Sequence, residues 1–148
     1  MSKSSFVYVT YIRTTPAKLW QALTDPEMNK KYWLGAHQES DWEVGSPWKI
    51  VLADGRIADE GEVIEIEPEK KLVLKWTNLF KPEMTAEGET RMECTMEQMG
   101  ETMKLTILHE MNRPNSIVIG AVGSGWPMIL AGLKSLLETG ESLDMGQV

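Results

Sequence analysis

The chain opens with SFVYVTYIR over residues 5–13, rich in β-branched and aromatic residues, which predicts a first strand. The period then changes. In TTPAKLWQALTDP, Thr15 is placed to cap a helix with Pro16 behind it. Leu19, Trp20 and Leu23 make a helical stripe that Asp25-Pro26 ends, and PEMNKKYW adds a second short helix. From about residue 37 the period becomes two. Asp54-Gly55 is a two-residue hairpin signal between WKIVL and the next extended run. Pro68 to Lys71 make another turn, LVLKWT another strand, and TRMECTMEQMGETMKLTILHEM a hairpin turning near Gly100. Along that hairpin Met92, Cys94 and Met96 share one face, and Met103, Leu105, Ile107 and His109 share another. NRPNSIVIGAVGSG reads as a loop. The last helix is predicted over residues 125–139, with Pro127 in its first turn and Gly140 as its stop. Trp126, Ile129, Leu130, Leu133, Leu136 and Leu137 fall on one side of it.

Consecutive hairpins imply an antiparallel sheet, and helices at the two ends of the chain make the class α+β, with one sheet face covered. The 148 residues suffice for one domain with a sizeable core. A net charge of −7 argues against a nucleic-acid surface. Lys30-Lys31 and Lys70-Lys71 are short, acid-flanked and read as solvated turns. The single cysteine, Cys94, excludes an intrachain disulfide. No leader and no long apolar run is visible, so the expected location is the cytoplasm, without membrane insertion. Enzyme signatures are poor. His37 and His109 have no partners at metal-ligand spacing, and no nucleophile elbow or phosphate loop occurs, so no cofactor is expected. Asp59, Glu60 and Glu62 read as the solvent face of a strand. Six Trp and ten Met suit either a core or a greasy, adaptable pocket.

The ordered set TPAKLWQALTDPE…YW, DGR…GEVIEIEP…KLVLKW, TRMECTME, MKLTILHE and GWPMILAGLKSLLE resembles the homologues of the activator of the 90-kDa heat-shock-protein ATPase. That family lies in the START-like, birch-pollen-allergen-like (SRPBCC) superfamily. The resemblance runs from Phe6 to Thr139. It implies a helix-grip fold: a curved antiparallel sheet of six or seven strands around a long C-terminal helix. The expected organisation is one domain over residues 1–148, with its core at about 6–139 and a flexible tail over 140–148. Superfamily relatives bind sterols, lipids or flavonoid-like aromatics, and some cyclise polyketides. The eukaryotic chaperone activator carries a related domain inside a longer protein.

The first functional reading is therefore a small apolar or aromatic ligand held between sheet and helix. Trp126, Leu130 and Leu133 would form the ceiling, and Met92, Met96, Leu105 and Ile107 the floor. His109 would be a polar anchor, and Trp33, Trp48 and Trp76, at element ends, would line the mouth. The alternatives are an interaction module with a protein partner such as a chaperone, acting through the outer sheet face or the 111–125 loop, and a polyketide cyclase or aromatase. A cavity of about 300–1,000 Å³ favours ligand or enzyme. A filled interior beside an exposed apolar patch favours the interaction module.

Overall fold

The computed structural model describes residues 3–145. Its elements are β1 (Ser4–Arg13), α1 (Pro16–Thr24), α2 (Pro26–Tyr32), β2 (His37–Ser40), β3 (Pro47–Val51) and β4 (Ile57–Glu67). They continue as β5 (Lys71–Asn78), α3 (Pro82–Glu87), β6 (Glu89–Met99), β7 (Thr102–Met111) and α4 (Ile117–Thr139). The seven strands form one antiparallel sheet in the order β1-β7-β6-β5-β4-β3-β2. Only β1 breaks the sequential order, by pairing with the last strand. This is the helix-grip architecture that the family resemblance implies.

Local chemistry accounts for the boundaries. Thr15 Oγ1 accepts the Lys18 amide hydrogen at 3.2 Å and Asp25 Oδ1 that of Glu27 at 3.0 Å, each followed by proline in the first turn. Gly55 and Gly100 turn their hairpins with φ of 93° and 64°, where a side chain would be strained. Met92, Cys94 and Met96 stand opposite His109, Ile107 and Leu105 in the β6–β7 register. The two sets therefore form one continuous inner surface.

The last helix differs from expectation. It begins at Ile117, so the segment read as a loop supplies its first two turns, and Pro127 lies in its interior. The reason is the capping. Ser116 Oγ accepts the Ile119 amide hydrogen at 3.1 Å. The Glu87 carboxylate, at the end of the unanticipated α3, accepts from Ile117 N at 2.8 Å, Val118 N at 3.2 Å and Ser116 Oγ at 2.6 Å. These bonds satisfy amides that a helix end leaves unpaired, against a cost of about 1 kcal/mol for each interior glycine. Pro127 cannot donate to the carbonyl of Gly123, which leaves one gap in the ladder.

α4 runs alongside β1. A Cβ at Gly123 would lie 3.2 Å from the Phe6 ring, Lys134 Nζ donates to the Tyr11 carbonyl, and Glu138 accepts the Arg13 amide hydrogen at 2.8 Å. With its extra turns α4 is long and apolar enough to cross a membrane by length and composition. In this fold its residues Trp126, Leu130 and Leu133 are instead buried against the sheet. Beyond its end, Ser142 Oγ donates back to the Gly132 carbonyl at 3.2 Å. Of the tail expected to be flexible, residues 146–148 lie outside the described residues.

Candidate functional site

The inner face centres on Gly61. Trp48 and Trp76 pair with it from the two neighbouring strands. Their rings meet with centroids 4.5 Å apart. The backbone approaches so closely that a Cβ on residue 61 would fall 1.8 Å from the Lys75 carbonyl oxygen. Trp126 drops from α4 onto Trp76, edge to face at 5.8 Å, and Trp33 from the end of α2 meets Trp126 at 5.5 Å. Trp48 and Trp76 are therefore core residues, 0% and 4% exposed; Trp76 bounds the small space between sheet and helix, and Trp48 borders the groove that crosses β2 to β5. Strand curvature turns their ends inward, which sequence position alone does not show. Trp33 alone of the three is half-buried.

Each of the three deeply buried indoles has a partner for its N–H. Trp48 donates to Gln38 Oε1 at 2.9 Å, Trp76 to Asp59 Oδ2 at 2.7 Å and Trp126 to His109 Nδ1 at 3.2 Å. Because Nδ1 accepts, the imidazole proton sits on Nε2 and is donated to Thr90 Oγ1 at 2.8 Å. Thr90 passes its own proton to the Trp76 carbonyl at 2.8 Å. This one-way relay fixes the tautomer of a histidine with no exposed surface. Burial lowers the His109 pKa to about 3, so the ring is neutral near pH 7.

Asp59 is a correction to the sequence reading. It is 8% exposed and faces inward, in phase with Gly61 and Val63, while Glu60 and Glu62 point outward. Burial raises its pKa to about 6, partly offset by the hydrogen bond from Trp76. Burial likewise pushes the Cys94 thiol up to about 12, leaving it inert near neutral pH. Gln38, Thr90, Gly61 and Asp59 are the members of this site that periodicity misses. The one available signal was that Asp59 shares its alternation with Val63.

Between sheet and helix the free volume is about 20 Å³, bounded by Trp33, Trp76, Met92, Ile107, Trp126 and Leu130 among others. That is room for a single water molecule, not for a ligand. Met96, Leu105 and Leu133 are buried in the same core but do not touch this space, and neither does His109. Among the described residues no three His, Cys, Asp or Glu side chains converge as a metal site requires.

The larger concavity is outside. A groove of about 1010 Å³ crosses β2 to β5, lined by Trp42, Ile57, Lys49 and Lys75 and by Glu39, Asp41, Glu60, Glu62 and Glu89. Asp41, Glu60, Glu62 and Glu89 have no ion-pair partner among the described residues.

A seven-stranded antiparallel sheet gripping one long C-terminal helix defines a protein of the helix-grip, SRPBCC class. More narrowly, the chain belongs to the family of activator of Hsp90 ATPase homolog 1-like proteins, whose profile matches residues 13–138. No curated relative matches it. Among solved structures, protein MLL2253 from Mesorhizobium loti is 26% identical, with 90% of this chain and 96% of that one covered and a TM-score of 0.77. The Aha1 dimer from Colwellia psychrerythraea is 20% identical, covering 94% and 99%, with a TM-score of 0.74. PFC0360w, an HSP90 activator from Plasmodium falciparum, is 21% identical, covering 90% and 95%, with a TM-score of 0.72.

Proposed function

We propose that this chain is a non-covalent interaction module of the cytoplasm that docks a chaperone-type protein partner in the outer groove of its sheet. The filled interior carries this reading. Opening 20 Å³ to the roughly 300 Å³ of a small ligand pocket means expelling a side chain the size of tryptophan. Removing a core tryptophan costs about 3–5 kcal/mol. A ligand burying about 300 Å² gains about 7–8 kcal/mol, and association alone takes about 4 or more. Little is left for affinity. The unpaired acids of the groove beside Trp42 suit a basic, partly apolar surface, and the HSP90 activator among the similar structures supports a chaperone as the partner.

The test is to titrate a purified 90-kDa chaperone with the chain while following its ATPase rate and the amide shifts of the labelled chain. Shifts at residues 39–42, 57–62 and 75–77 and a raised ATPase rate are expected. Glu60→Lys with Glu62→Lys should weaken binding at least ten-fold. An unchanged rate with no shifts at saturating chaperone rejects the reading.

One observation favours a small ligand as the second reading. The N-terminal part of the helix over the interior has three glycines, Gly120, Gly123 and Gly125, and a broken bond at Pro127, and half-buried Trp33 stands beside the residual space. A flat aromatic could enter by lifting this segment. Tryptophan fluorescence that saturates at one flavonoid-like or fatty-acid molecule per chain, with shifts at residues 103–109 and 126–133, would transfer the assignment to that reading. The geometry does not favour a cyclase role, although DynU16, a protein in the dynemicin biosynthetic locus, is among the similar structures: Asp59 and His109 are both turned to indole donors, with little space beside them.

A further inference from the structure

Trp42 lies in the turn between β2 and β3, half-buried, and lines the outer groove. Its φ of 56° is rare for a bulky side chain. The turn is fastened around it. The Trp42 amide donates to Ser40 Oγ at 3.0 Å, and Ser46 Oγ, 3.1 Å from Ser40 Oγ, donates to the Glu43 carbonyl at 2.7 Å. Gly45 N donates to the Val63 carbonyl at 2.8 Å, and Val63 N to the Ser46 carbonyl at 3.0 Å. These bonds seat the turn on β4 beside Glu62. Among the described residues no aromatic ring stacks on Trp42 and its indole N–H has no acceptor, whereas Trp48, Trp76 and Trp126 have both.

We propose that Trp42 is the specificity-determining residue of this groove and selects arginine over lysine in an extended segment of the docked partner. The inference rests on the reading that the groove is the docking site. Glu39, Asp41, Glu60, Glu62 and Glu89 outnumber Lys49 and Lys75 along the groove, so a cationic occupant is complementary. Charge alone does not separate the two basic side chains; the indole does. A guanidinium is flat and weakly hydrated, so it can lie on the ring while its edge N–H groups reach carboxylates. A lysine ammonium is compact and strongly hydrated, and has no plane to stack. Pro47, which faces Glu62 in the register, gives it nothing in return for lost water.

The acids also set the shape of the occupant. Glu60 and Glu62 point outward two residues apart on β4, about 7 Å, the repeat of side chains along one face of an extended chain. From β2 to β5 the groove crosses three strand spacings, about 14 Å or some four extended residues. A short extended segment with basic side chains at alternate positions fits both measures.

Two capped peptides of alternating valine test this, one with two arginines and the other with two lysines in the same places. Each is titrated at low salt into the full labelled chain, following its amides and indole N–H signals. The arginine peptide should shift the Trp42 indole and the amides of residues 40–42 and 60–62. It should bind about five-fold more tightly than the lysine peptide, the scale of a cation stacked on an indole. Trp42→Leu should bring the two peptides within about two-fold of each other, and Trp42→Phe, the milder change, should keep part of the preference. Glu60→Gln with Glu62→Gln should weaken both peptides alike. Thermal melts of each variant confirm the fold. Equal binding of the two peptides by the parent, no binding of either, or a preference that survives Trp42→Leu overturns the proposal. The purified 90-kDa chaperone separates it from the docking reading. A chaperone that shifts the groove of the parent and of Trp42→Leu with the same affinity overturns selection by Trp42 and leaves the docking reading standing. A chaperone that leaves the groove untouched while the arginine preference holds rejects that partner and supports Trp42 as the selector.

Discussion

Asp59 and His109 lie on the same inner face, with pKa values displaced in opposite senses, and their effects on stability should cancel over a defined pH window. Asp59 moves from 3.8 to about 6 on folding. Between those values the folded chain keeps a proton that the unfolded chain has released, so stability falls as pH rises. His109 moves from 6.5 to about 3. Between those values the unfolded chain holds the extra proton, so stability rises with pH. Each mismatch contributes about 1.4 kcal/mol per pH unit, and from pH 4 to 6 the two slopes oppose. Asp59→Asn removes the falling component and keeps an acceptor for the Trp76 N–H. Its stability should then climb by about 2–3 kcal/mol across the window relative to the parent. At about 2–4 °C per kcal/mol this is a relative rise in Tm of roughly 4–12 °C. His109→Gln should show the reverse, a relative fall of similar size. Thermal and urea melts of the three proteins at half-unit steps from pH 4 to 7 measure it. Other carboxylates, such as Glu87 and Glu138, are common to all three and drop out of the differences. Parallel profiles for the parent and Asp59→Asn would refute the reasoning, because the carboxyl would then ionise alike folded and unfolded.

Leu133→Asp buries a charge where no surface is exposed, and should cost at least 3–5 kcal/mol in a urea melt, judged by apolar truncations of about that size. Gly61→Ala drives a Cβ into the Lys75 carbonyl and should prevent native packing, seen as loss of the near-ultraviolet tryptophan signal. Glu87→Ala strips the cap from α4 and should cost about 1–2 kcal/mol, with hydrogen exchange accelerating at residues 117–122 and not at 130–137.

Much of the architecture was legible because it rests on local signals. Thr15-Pro16, Asp54-Gly55 and Gly100 mark element ends by chemistry that acts within a few residues, and strand alternation then orders the sheet. What stayed hidden depends on distant groups. The start of α4 is set by Glu87, thirty residues upstream of Ile117. Nothing within GAVGSG announces that a carboxylate will hold its first amides. Trp48 and Trp76 meet only because Gly61 lets two neighbouring strands bend around one position. Asp59 was misread because acidic neighbours on both sides of Gly61 hid which of them kept phase with Val63. The expected pocket failed on volume, and volume is a sum over side chains from many elements that no periodicity contains.

The contact of α4 with β1 also controls a hazard. FVYVTYI, residues 6–12, is uncharged, free of proline and rich in β-branched and aromatic residues, the makings of a cross-β segment. In the native chain one edge of it lies under the helix. The turns nearest Phe6 are the glycine-bearing ones around Gly123, the part of α4 with the weakest intrinsic hold. Fraying there uncovers a strand edge without unfolding the sheet. Aggregation on mild heating should therefore begin before global melting and follow the integrity of the helix cap, so that residence time as a soluble species is set by one carboxylate at the far end of α3.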